Sequence, residues 1–572
     1  MKVSDYIISE LERRGVRHVF ELSGGMIAHL LDSLSQRKNI NVVSMRHEQA
    51  AAFAADATGR ITGVPGVAMA TSGPGATNLL TGIGSCYFDS SPAVFITGQV
   101  NRHEQKGERA IRQLGFQETD IVSMATPITK AAWRVTSPEE VPELLDHAFS
   151  LSAEGRPGPV LLDVPMDVQR ADITVTPRAT ASGKNSPTIA RSTWDDLFQA
   201  LHAAKRPLIL VGGGIRSARA TDLFRSVARK LSVPVAHSLM AVDVLPFDDP
   251  LRVGMIGSYG NRWTNLAVAQ SDFLLVLGSR LDVRQTGSQT DAFKGDRQIF
   301  HVDCEAGEIN NRVAGCCPIV SELPEFLSQA ETAIENREFP ARDEWLAEIN
   351  GLRAAWPDTK ELDGREGINP NVLMHELSKA SVEAAAYVVD VGQHQMWAAQ
   401  SLELRDDQRF LTSGGMGSMG FALPASIGAA LSSSPKPVVM IAGDGGFQSN
   451  IQELQTVVQH ELPIKMVVLN NGCHGMVRQF QQSYFDERYQ STLWGYSAPD
   501  FARVAAAYQI SARTIVEAAD VQESLKWLWS TSEPALLQVM IDTYANAYPK
   551  IAFGSPISEM EPLVQPTEME ST

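Results

Sequence analysis

The chain has 572 residues, a net charge of −17 at pH 7 and 20% charged residues. This length exceeds what one hydrophobic core supports, so we expect three domains. The acidic balance argues against a nucleic-acid or membrane-surface partner, and no apolar run is long enough to span a bilayer. Five scattered cysteines and an N-terminus without a signal-peptide pattern predict a cytoplasmic protein without disulfides.

The first segment, residues 1–175, alternates helices with short apolar strands, which is typical of an α/β domain with a doubly wound parallel sheet. Glu48 opens a helix of small residues that can pack closely against a neighbour. The loop at 71–75 has backbone N–H groups free to bind a ligand. Strands are predicted at 16–20, 40–45, 66–70, 93–97 and 159–163.

A second α/β domain is predicted at 190–340, after a linker at 174–192 that is rich in Thr, Pro, Ser and Gly. Glycines follow its first strand at 212–214, and Asp303 ends a later strand. That pattern suits a nucleotide cofactor, although a glycine turn alone more often serves only as a turn. Its strands are predicted at 207–211, 273–278 and 298–303.

The third α/β domain is predicted at 365–550, after a charged linker at 340–370. We interpret residues 551–572, which contain no basic residue, as a lid or a loose tail. All three domains are therefore expected to be doubly wound parallel-sheet units.

A β-α-β unit within the third domain carries the most informative pattern. An apolar strand at 437–442 precedes Gly443, Asp444 and Gly445, and a helix predicted at 446–458 leads to a second strand that ends before Asn471. Because the two strands should be parallel, Asp444 and Asn471 are expected at the same sheet edge. Their oxygens suit Mg²⁺, and the glycines allow a phosphate to approach the backbone. The unit therefore predicts a seat for a metal and a diphosphate.

Each of these residues has an ordinary interpretation when it stands alone. Glu48 can stabilise a helix N-terminus, Asp444 and Asn471 can be turn residues, and Met419 can fill a core. What favours a functional interpretation is that all of them occur together along one chain.

With these motifs the chain resembles the thiamine-diphosphate-dependent decarboxylases and carboligases, and within that family the acetolactate synthases. The resemblance covers nearly the full length. Its motifs lie at 46–60, 71–83, 115–122, 155–165, 391–400, 411–431 and 443–471.

The resemblance implies a role for each matching residue. Asp444, Asn471 and the carbonyl of Cys473 would hold Mg²⁺. Glu48 would bond N1′ of the aminopyrimidine and activate the cofactor. Met419 would lie under the bend between the two rings, and the Gly417 carbonyl would accept from the 4′-amino group. The contacts to the diphosphate would come from Gln393, His394, Gly443, Gly445 and Gly446.

The central domain resembles the branch of the family that binds a largely structural FAD. The matching residues are Arg156, Gly212, Gly213, Arg280, Arg284, Asp303 and Glu322.

Near the substrate, the resemblance implies catalytic positions at Gly25 and Gln117 beside Glu48, and channel positions at Phe116 and Lys130. The chain departs from the family pattern at several positions of the pocket for the second substrate, although Arg284 is kept. The departures are Ser23, Met166, Val283 and Phe480.

The function implied is decarboxylation of pyruvate and transfer of the acetyl unit to a carbonyl acceptor. The acceptor stays open between a second pyruvate and a ketone or nucleotide-linked keto sugar. A pyruvate oxidase and a non-catalytic relative are the other classes. The resemblance also implies a homodimer at minimum and a tetramer beyond it, with Glu48 from one chain and Asp444 from the other completing each site.

Overall fold

The structure is a computed structural model that describes residues 1–174, 188–335 and 337–566. In these residues it contains three six-stranded sheets, whose strands pair in parallel, and one two-stranded antiparallel sheet. The prediction of three doubly wound α/β domains is confirmed. The first predicted linker falls mostly outside the described residues. Among the described helices, none combines the length and apolar character that a membrane crossing needs.

The N-terminal domain has its central strand, β3, buried along its whole length. Its strands are β1 (His18–Leu22), β2 (Asn41–Ser44), β3 (Gly66–Ala70), β4 (Ala93–Gln99), β5 (Ala131–Arg134) and β6 (Pro159–Pro165). Its helices are α1 (Val3–Arg13), α2 (Ala28–Ser35), α3 (Glu48–Thr62), α4 (Pro74–Asn78), α5 (Leu80–Asp89), α6 (Ile121–Ala125), α7 (Val141–Ala153) and α8 (Met166–Arg170). The sheet order is β2-β1-β3-β4-β6-β5.

The central domain has a different strand order, β12-β11-β10-β7-β8-β9, which is that of dinucleotide-binding sheets. Its strands are β7 (Pro207–Val211), β8 (Val235–His237), β9 (Arg252–Met255), β10 (Phe273–Leu277), β11 (Gln298–Asp303) and β12 (Cys317–Val320). Its helices are α9 (Arg191–Ala203), α10 (Gly214–Ser217), α11 (Thr221–Leu231), α12 (Arg262–Gln270), α13 (Val283–Thr286), α14 (Thr290–Lys294), α15 (Leu323–Ile334) and α16 (Asp343–Ala355).

The C-terminal domain repeats the strand order of the N-terminal one, as β14-β13-β15-β16-β18-β17. Its strands are β13 (Ala386–Val389), β14 (Arg409–Thr412), β15 (Val438–Gly443), β16 (Ile464–Asn470), β17 (Ser511–Ile515) and β18 (Ala535–Met540). Its helices are α17 (Pro370–Ala380), α18 (Gln393–Ser401), α19 (Ala422–Ser433), α20 (Asp444–Ser449), α21 (Leu454–Gln459), α22 (Gly475–Tyr484), α23 (Phe501–Ala507) and α24 (Val521–Leu528). The shared order fits a common origin for the two domains.

Helices α3 and α19 join these two similar domains at close range. Phe53 of α3 and Phe421, which precedes α19, meet edge-to-face with 5.3 Å between ring centroids. A Cβ atom on Gly428 would lie 2.1 Å from the Ala54 carbonyl oxygen, so only glycine fits there. The small residues of α3 thus serve backbone-close packing, which fixes the position of Glu48 at its first turn.

The helix predicted at 446–458 is interrupted in the structure. It consists of α20, a short 3₁₀ turn over Ile451–Glu453, and α21, and it already begins at Asp444. The break falls at Asn450, whose side-chain nitrogen donates to the Gly420 carbonyl at 2.8 Å and to Gln49 Oε1 at 3.1 Å. These long-range bonds hold Asn450 outside helical geometry, which local periodicity does not reveal.

Two segments outside the three sheets pack on the central domain. Helix α16 lies inside the predicted linker 340–370, and its Trp345 is buried, with Nε1 donating to the Pro207 carbonyl at 3.1 Å. Beyond the third sheet, β19 (Lys550–Ile551) pairs with β20 (Met560–Glu561). The Ile551 N–H donates to the Ser258 carbonyl at 2.9 Å, so residues 550–561 lie against the central domain.

Candidate active site

Three oxygen atoms converge where β15 and β16 end. The two strands are in parallel register, with Gly443 opposite Leu469, so Asp444 and Asn471 follow at the same sheet edge. The Asn471 side-chain oxygen lies 3.3 Å from Asp444 Oδ1 and 2.9 Å from the Cys473 carbonyl oxygen. The structure therefore brings the three predicted metal ligands together.

This oxygen cluster fits a small octahedral cation. Metal–oxygen bonds of about 2.1 Å place neighbouring Mg²⁺ ligands about 3.0 Å apart, close to the spacing seen here. The Cys473 N–H also reaches the Asn471 oxygen, at 3.3 Å. A cation among the three oxygens would remove their mutual repulsion. A rotated Asn471 amide, whose nitrogen would donate to Asp444 Oδ1 and the Cys473 carbonyl, would do the same. With one carboxylate, one amide and one carbonyl, the donor set is of the hard type that Mg²⁺ prefers.

Tyr496 occupies the other side of the Asp444 carboxylate. Its hydroxyl donates to Asp444 Oδ2 at 2.9 Å. Burial raises the pKa of Asp444 to about 6, and the bond from Tyr496 opposes that rise. Burial and the nearby Asp444 charge raise the pKa of Tyr496, so the phenol stays protonated as a donor.

Gln393 and His394 lie at the start of α18, against the glycines of the seat. His394 Nε2 accepts the Gly443 N–H at 3.2 Å, and burial lowers the pKa of His394 to about 3, so the ring is neutral. Gln393 accepts from the Asn471 amide at 3.1 Å. Both predicted diphosphate residues therefore border the oxygen cluster.

The glycines of the seat have no room for a side chain. A Cβ on Gly445 would lie 2.8 Å from the His474 ring and 3.2 Å from the Met419 methyl carbon, and one on Gly446 would lie 2.5 Å from Asp390 Oδ1. Met419, which is 40% exposed, thus lies over bare backbone beside the metal ligands. The predicted place of Met419 under the bend between the two rings of the cofactor stays a prediction.

Asp390 holds the loop that carries Met419. Its buried carboxylate accepts the N–H groups of Gly420 at 3.0 Å and Ala422 at 2.8 Å. Burial raises the pKa of Asp390 to about 6, and these bonds from the backbone lower it. Gly417 in the same loop has φ +69°, and a Cβ there would meet open space.

Glu48 lies in a second group of residues, around the loop at 71–75. It is 6% exposed, and its Oε2 accepts from the Asn78 amide at 2.9 Å. Its Oε1 lies 3.2 Å from where a Cβ on Gly75 would be. Gln117 borders the same loop, since its Cβ lies 3.0 Å from where a Cβ on Gly73 would be. Gly25 follows Gly24, which lies directly against the Thr71 side chain. The three predicted catalytic residues are thus gathered in the N-terminal domain.

Within one chain the two groups approach each other through neighbouring residues, since Gln49 accepts from Asn450 and Asp89 accepts from the Gly415 N–H. In the described parts of the sequence, no hydrogen bond or ion pair joins Glu48 to Met419, Asp444 or Asn471. The two groups lie on two domains with the same strand order.

A cavity of about 670 Å³ lies between the central domain and the other two. Arg156 at its rim pairs with Glu305 and Glu308, each at 2.8 Å. Burial raises the pKa of Asp303, which ends β11. The cavity is lined by every residue predicted to contact a flavin: Arg156, Gly212, Gly213, Arg280, Arg284, Asp303 and Glu322.

The predicted channel residues do not all lie together. Phe116 is 78% exposed and precedes Gln117. The Lys130 ammonium instead donates to the carbonyls of Glu154 at 2.5 Å and Arg156 at 2.8 Å, beside the central cavity. In the structure Lys130 therefore fixes a loop of that cavity.

The predicted acceptor residues fall at two places. Ser23 is exposed before the 3₁₀ turn at Gly25–Ile27, and Met166 begins α8 at the end of β6. Phe480 of α22 packs on Tyr484 at 4.7 Å, and Lys550 lies 4.9 Å from the same Tyr484 ring. On the other side of residues 550–551, the Arg284 carbonyl accepts from Ser258 at 2.6 Å, next to exposed Val283.

Sequence reasoning missed Asp390, Asn78 and Tyr496. Asp390 follows β13 directly, so an acid at the carboxyl end of a strand was an available signal. Tyr496 lies in a loop between α22 and α23 without a motif, and nothing local to it indicates contact with Asp444.

Comparison with known proteins identifies the class. Residues 1–124 match the family model "Thiamine pyrophosphate enzyme, N-terminal TPP binding domain", residues 194–330 match the central domain of that family, and residues 390–539 match its C-terminal TPP binding domain. The chain belongs to the thiamine pyrophosphate (thiamine diphosphate) enzymes.

Its relatives narrow this to one kind of enzyme. The chain is 35% identical over 568 residues to an acetolactate synthase large subunit of Cyanidium caldarium, covering 97% of this chain and 95% of the relative. It is 36% identical over 563 residues to the acetolactate synthase isozyme 1 large subunit of Escherichia coli (strain K12), covering 97% of each. The chain is an acetolactate-synthase-like, thiamine-diphosphate-dependent enzyme, which confirms the resemblance drawn from its motifs.

Proposed function

We propose that the chain decarboxylates pyruvate and joins the remaining acetyl unit to the keto carbon of a second pyruvate, giving acetolactate and CO₂. The observation that carries this proposal is the convergence of the Asp444, Asn471 and Cys473 oxygens beside Met419. This arrangement fits a metal-bound diphosphate in a chain whose full-length relatives are named acetolactate synthases. Those relatives do not favour the ketone-acceptor and oxidase alternatives.

Mg²⁺ and FAD complete the proposed set of cofactors. Asp444, Asn471 and the Cys473 carbonyl would hold Mg²⁺ on the diphosphate, because they supply three hard oxygens and the Asn471 oxygen lies 3.3 and 2.9 Å from the other two. FAD fits the central cavity, since a glycine turn follows β7 and Asp303 ends β11 in a sheet with the dinucleotide-binding order. Neutral His394 fits a place beside the diphosphate, where it accepts from the Gly443 N–H.

The chain's own residues orient the groups around the cofactor and move a proton. Bound thiamine diphosphate supplies the electron sink that cleavage of a 2-keto acid requires. Glu48 holds or releases a proton at its carboxylate, and the Asn78 amide fixes the orientation of that carboxylate. Asp390 fixes the Met419 loop, so that Met419 keeps its place over Gly445. The burial of Glu48 keeps bulk water from its proton.

The proposal includes at least two copies of the chain. The Glu48 group of one copy would face the Asp444 group of the next, and in the described part of one chain no hydrogen bond or ion pair joins Glu48 to Asp444. The exposed side chains of Phe116 and Met419, one beside each group, fit surfaces covered in such an assembly. We extend this proposal to a tetramer built from two such dimers.

Product analysis tests the function directly. The purified enzyme with thiamine diphosphate, Mg²⁺ and FAD is given ¹³C-labelled pyruvate alone, and the products are measured by mass spectrometry. We expect acetolactate carrying label from two pyruvate molecules, and no acetolactate from an Asp444→Ala control. Labelled pyruvate that is consumed only when a ketone is added would contradict the proposal, as would peroxide formation with acetate as the product.

A further inference from the structure

The two carboxylate oxygens of Asp444 face different partners. Oδ1 lies 3.3 Å from the Asn471 oxygen, inside the three-oxygen cluster. Oδ2 accepts the Tyr496 hydroxyl at 2.9 Å. One oxygen therefore faces the three-oxygen cluster while the other accepts from the Tyr496 hydroxyl.

Tyr496 lies in residues 490–497, which we call the strap, and contacts from His474 and Gln448 hold it in place. The Thr492 carbonyl of the strap accepts the His474 N–H at 3.0 Å. The His474 and Tyr496 rings meet at 4.6 Å between centroids, and Gln448 donates to the Tyr496 oxygen at 3.3 Å. With Met419 and Gly445, the strap lines a second cavity of about 630 Å³.

We propose that Tyr496 is a positioning residue that makes Asp444 a one-oxygen ligand and thereby selects Mg²⁺ over larger cations. The inference rests on the proposed function, since it presumes the metal–diphosphate seat. A free carboxylate can bind a cation through both oxygens, which suits Ca²⁺ with its six to eight ligands. Mg²⁺ needs close octahedral geometry, for which one oxygen of Asp444 must stay fixed. The bond from Tyr496 uses one lone pair of Oδ2 and holds the orientation of the carboxylate, which favours binding of the metal through Oδ1.

The test removes one hydroxyl and measures two metals. Dissociation constants for Mg²⁺ and Ca²⁺ are determined with wild type and Tyr496→Phe at saturating thiamine diphosphate, by titrating the intrinsic tryptophan fluorescence. Loss of an outer-shell partner weakens metal binding by about 10- to 100-fold. We expect a loss of about tenfold for Mg²⁺ and of less than about threefold for Ca²⁺, because the freed oxygen compensates only with the larger ion.

The matched control is Tyr508→Phe, which also deletes a phenol hydroxyl in the C-terminal domain. No side-chain hydrogen bond of Tyr508 occurs in the described chain, so both metal constants should stay at the wild-type values. Circular dichroism and thermal unfolding of the metal-free proteins check that the variants fold. If Tyr496→Phe is unstable, Tyr496→Leu gives the same comparison of the two metals.

Equal losses for Mg²⁺ and Ca²⁺ would overturn the selectivity role, and unchanged Mg²⁺ affinity would overturn the positioning role. Either result leaves the proposed function standing, provided that wild type binds Mg²⁺ with thiamine diphosphate. If wild type itself binds neither metal with the cofactor present, the proposed function fails together with this inference.

Discussion

The Asp89 carboxylate accepts the backbone N–H of Gly415 at 2.6 Å, and so ties the N-terminal domain to the loop that carries Met419. The same carboxylate accepts from Gly414 at 3.1 Å and pairs with Arg60 of α3 at 3.0 Å. The Asp89 side chain is 1% exposed. A single buried acid therefore links α3, which begins with Glu48, to the loop beside the metal ligands.

Replacing Asp89 with Ala should lower the free energy of unfolding by about 3 kcal/mol, because it leaves the buried Arg60 charge partly uncompensated. Urea unfolding of the metal-free protein measures the change. Asp407→Ala is the control, since Asp407 forms an exposed ion pair with Lys436 and should cost about 1 kcal/mol or less. An effect of Asp89→Ala no larger than that of Asp407→Ala would show that the Asp89 network adds no more stability than an exposed ion pair.

Glu48→Gln should reduce turnover by at least about 100-fold, the usual scale for loss of a proton-transferring group. Cofactor affinity should change little, because the amide preserves the shape of the side chain and can keep the contact with Asn78. Steady-state kinetics and a thiamine diphosphate titration separate the two effects. Near-wild-type turnover in Glu48→Gln would show that this carboxylate does not move the proton.

Two inactive variants should restore activity when they are mixed. Glu48→Gln disables one half of the site, and Asn471→Ala disables the other half. If each site takes its halves from two chains, a hybrid dimer regains one intact site out of two. Activity is measured after the variants are co-refolded or co-expressed in equal amounts, with each variant mixed with itself as the control. No recovery in verified hybrid dimers would place both halves of each site in one chain.

Strand positions were the part of the fold most open to prediction. The strands at 66–70, 207–211 and 298–303 have the predicted bounds, because short apolar runs between turn residues leave little freedom. The interrupted helix after Gly445 was not predictable, since Asn450 breaks it through bonds to Gly420 and Gln49, which are distant in the chain. The local sequence pattern predicts where strands lie, but it does not predict a helix break that is caused by bonds to distant residues.

The candidate site divides in the same way. The Asp444 and Asn471 positions follow from strand polarity, so the sequence was sufficient to place them at one sheet edge. Tyr496 contacts that site from a separate loop without a motif, which spacing cannot encode, whereas Asp390 at the end of β13 was open to prediction. The place of Lys130 near the substrate, expected from resemblance, stays a prediction, and its ammonium donates to two loop carbonyls beside the central cavity.

The central cavity gives a prediction about flavin. Wild type should purify with bound flavin and its visible absorption, and Asp303→Ala should weaken flavin retention by at least about tenfold, the scale of a lost hydrogen bond to a charged group. Absorption spectra after gel filtration measure the bound fraction. Asp291→Ala, at an exposed position of α14, is the control. A colourless wild-type protein with full activity would contradict the assignment of FAD to this cavity.

His394 should make the protein sensitive to acid. Burial lowers its pKa in the folded state to about 3, against an ordinary value of 6.5. Below pH 6.5 the His394 ring takes up a proton in the unfolded chain but not in the folded chain. Its contribution to the free energy of unfolding is therefore present above that pH and is lost as pH falls towards 3. One such proton contributes a slope of up to about 1.4 kcal/mol per pH unit.

His394→Gln, which keeps an acceptor near the Gly443 N–H, should flatten the pH dependence of the free energy of unfolding between pH 6 and 4.5 by this amount. The exposed control His103→Gln should not. Urea midpoints measured across that range test it, and parallel curves for His394→Gln and wild type would show that His394 carries a proton in the folded protein.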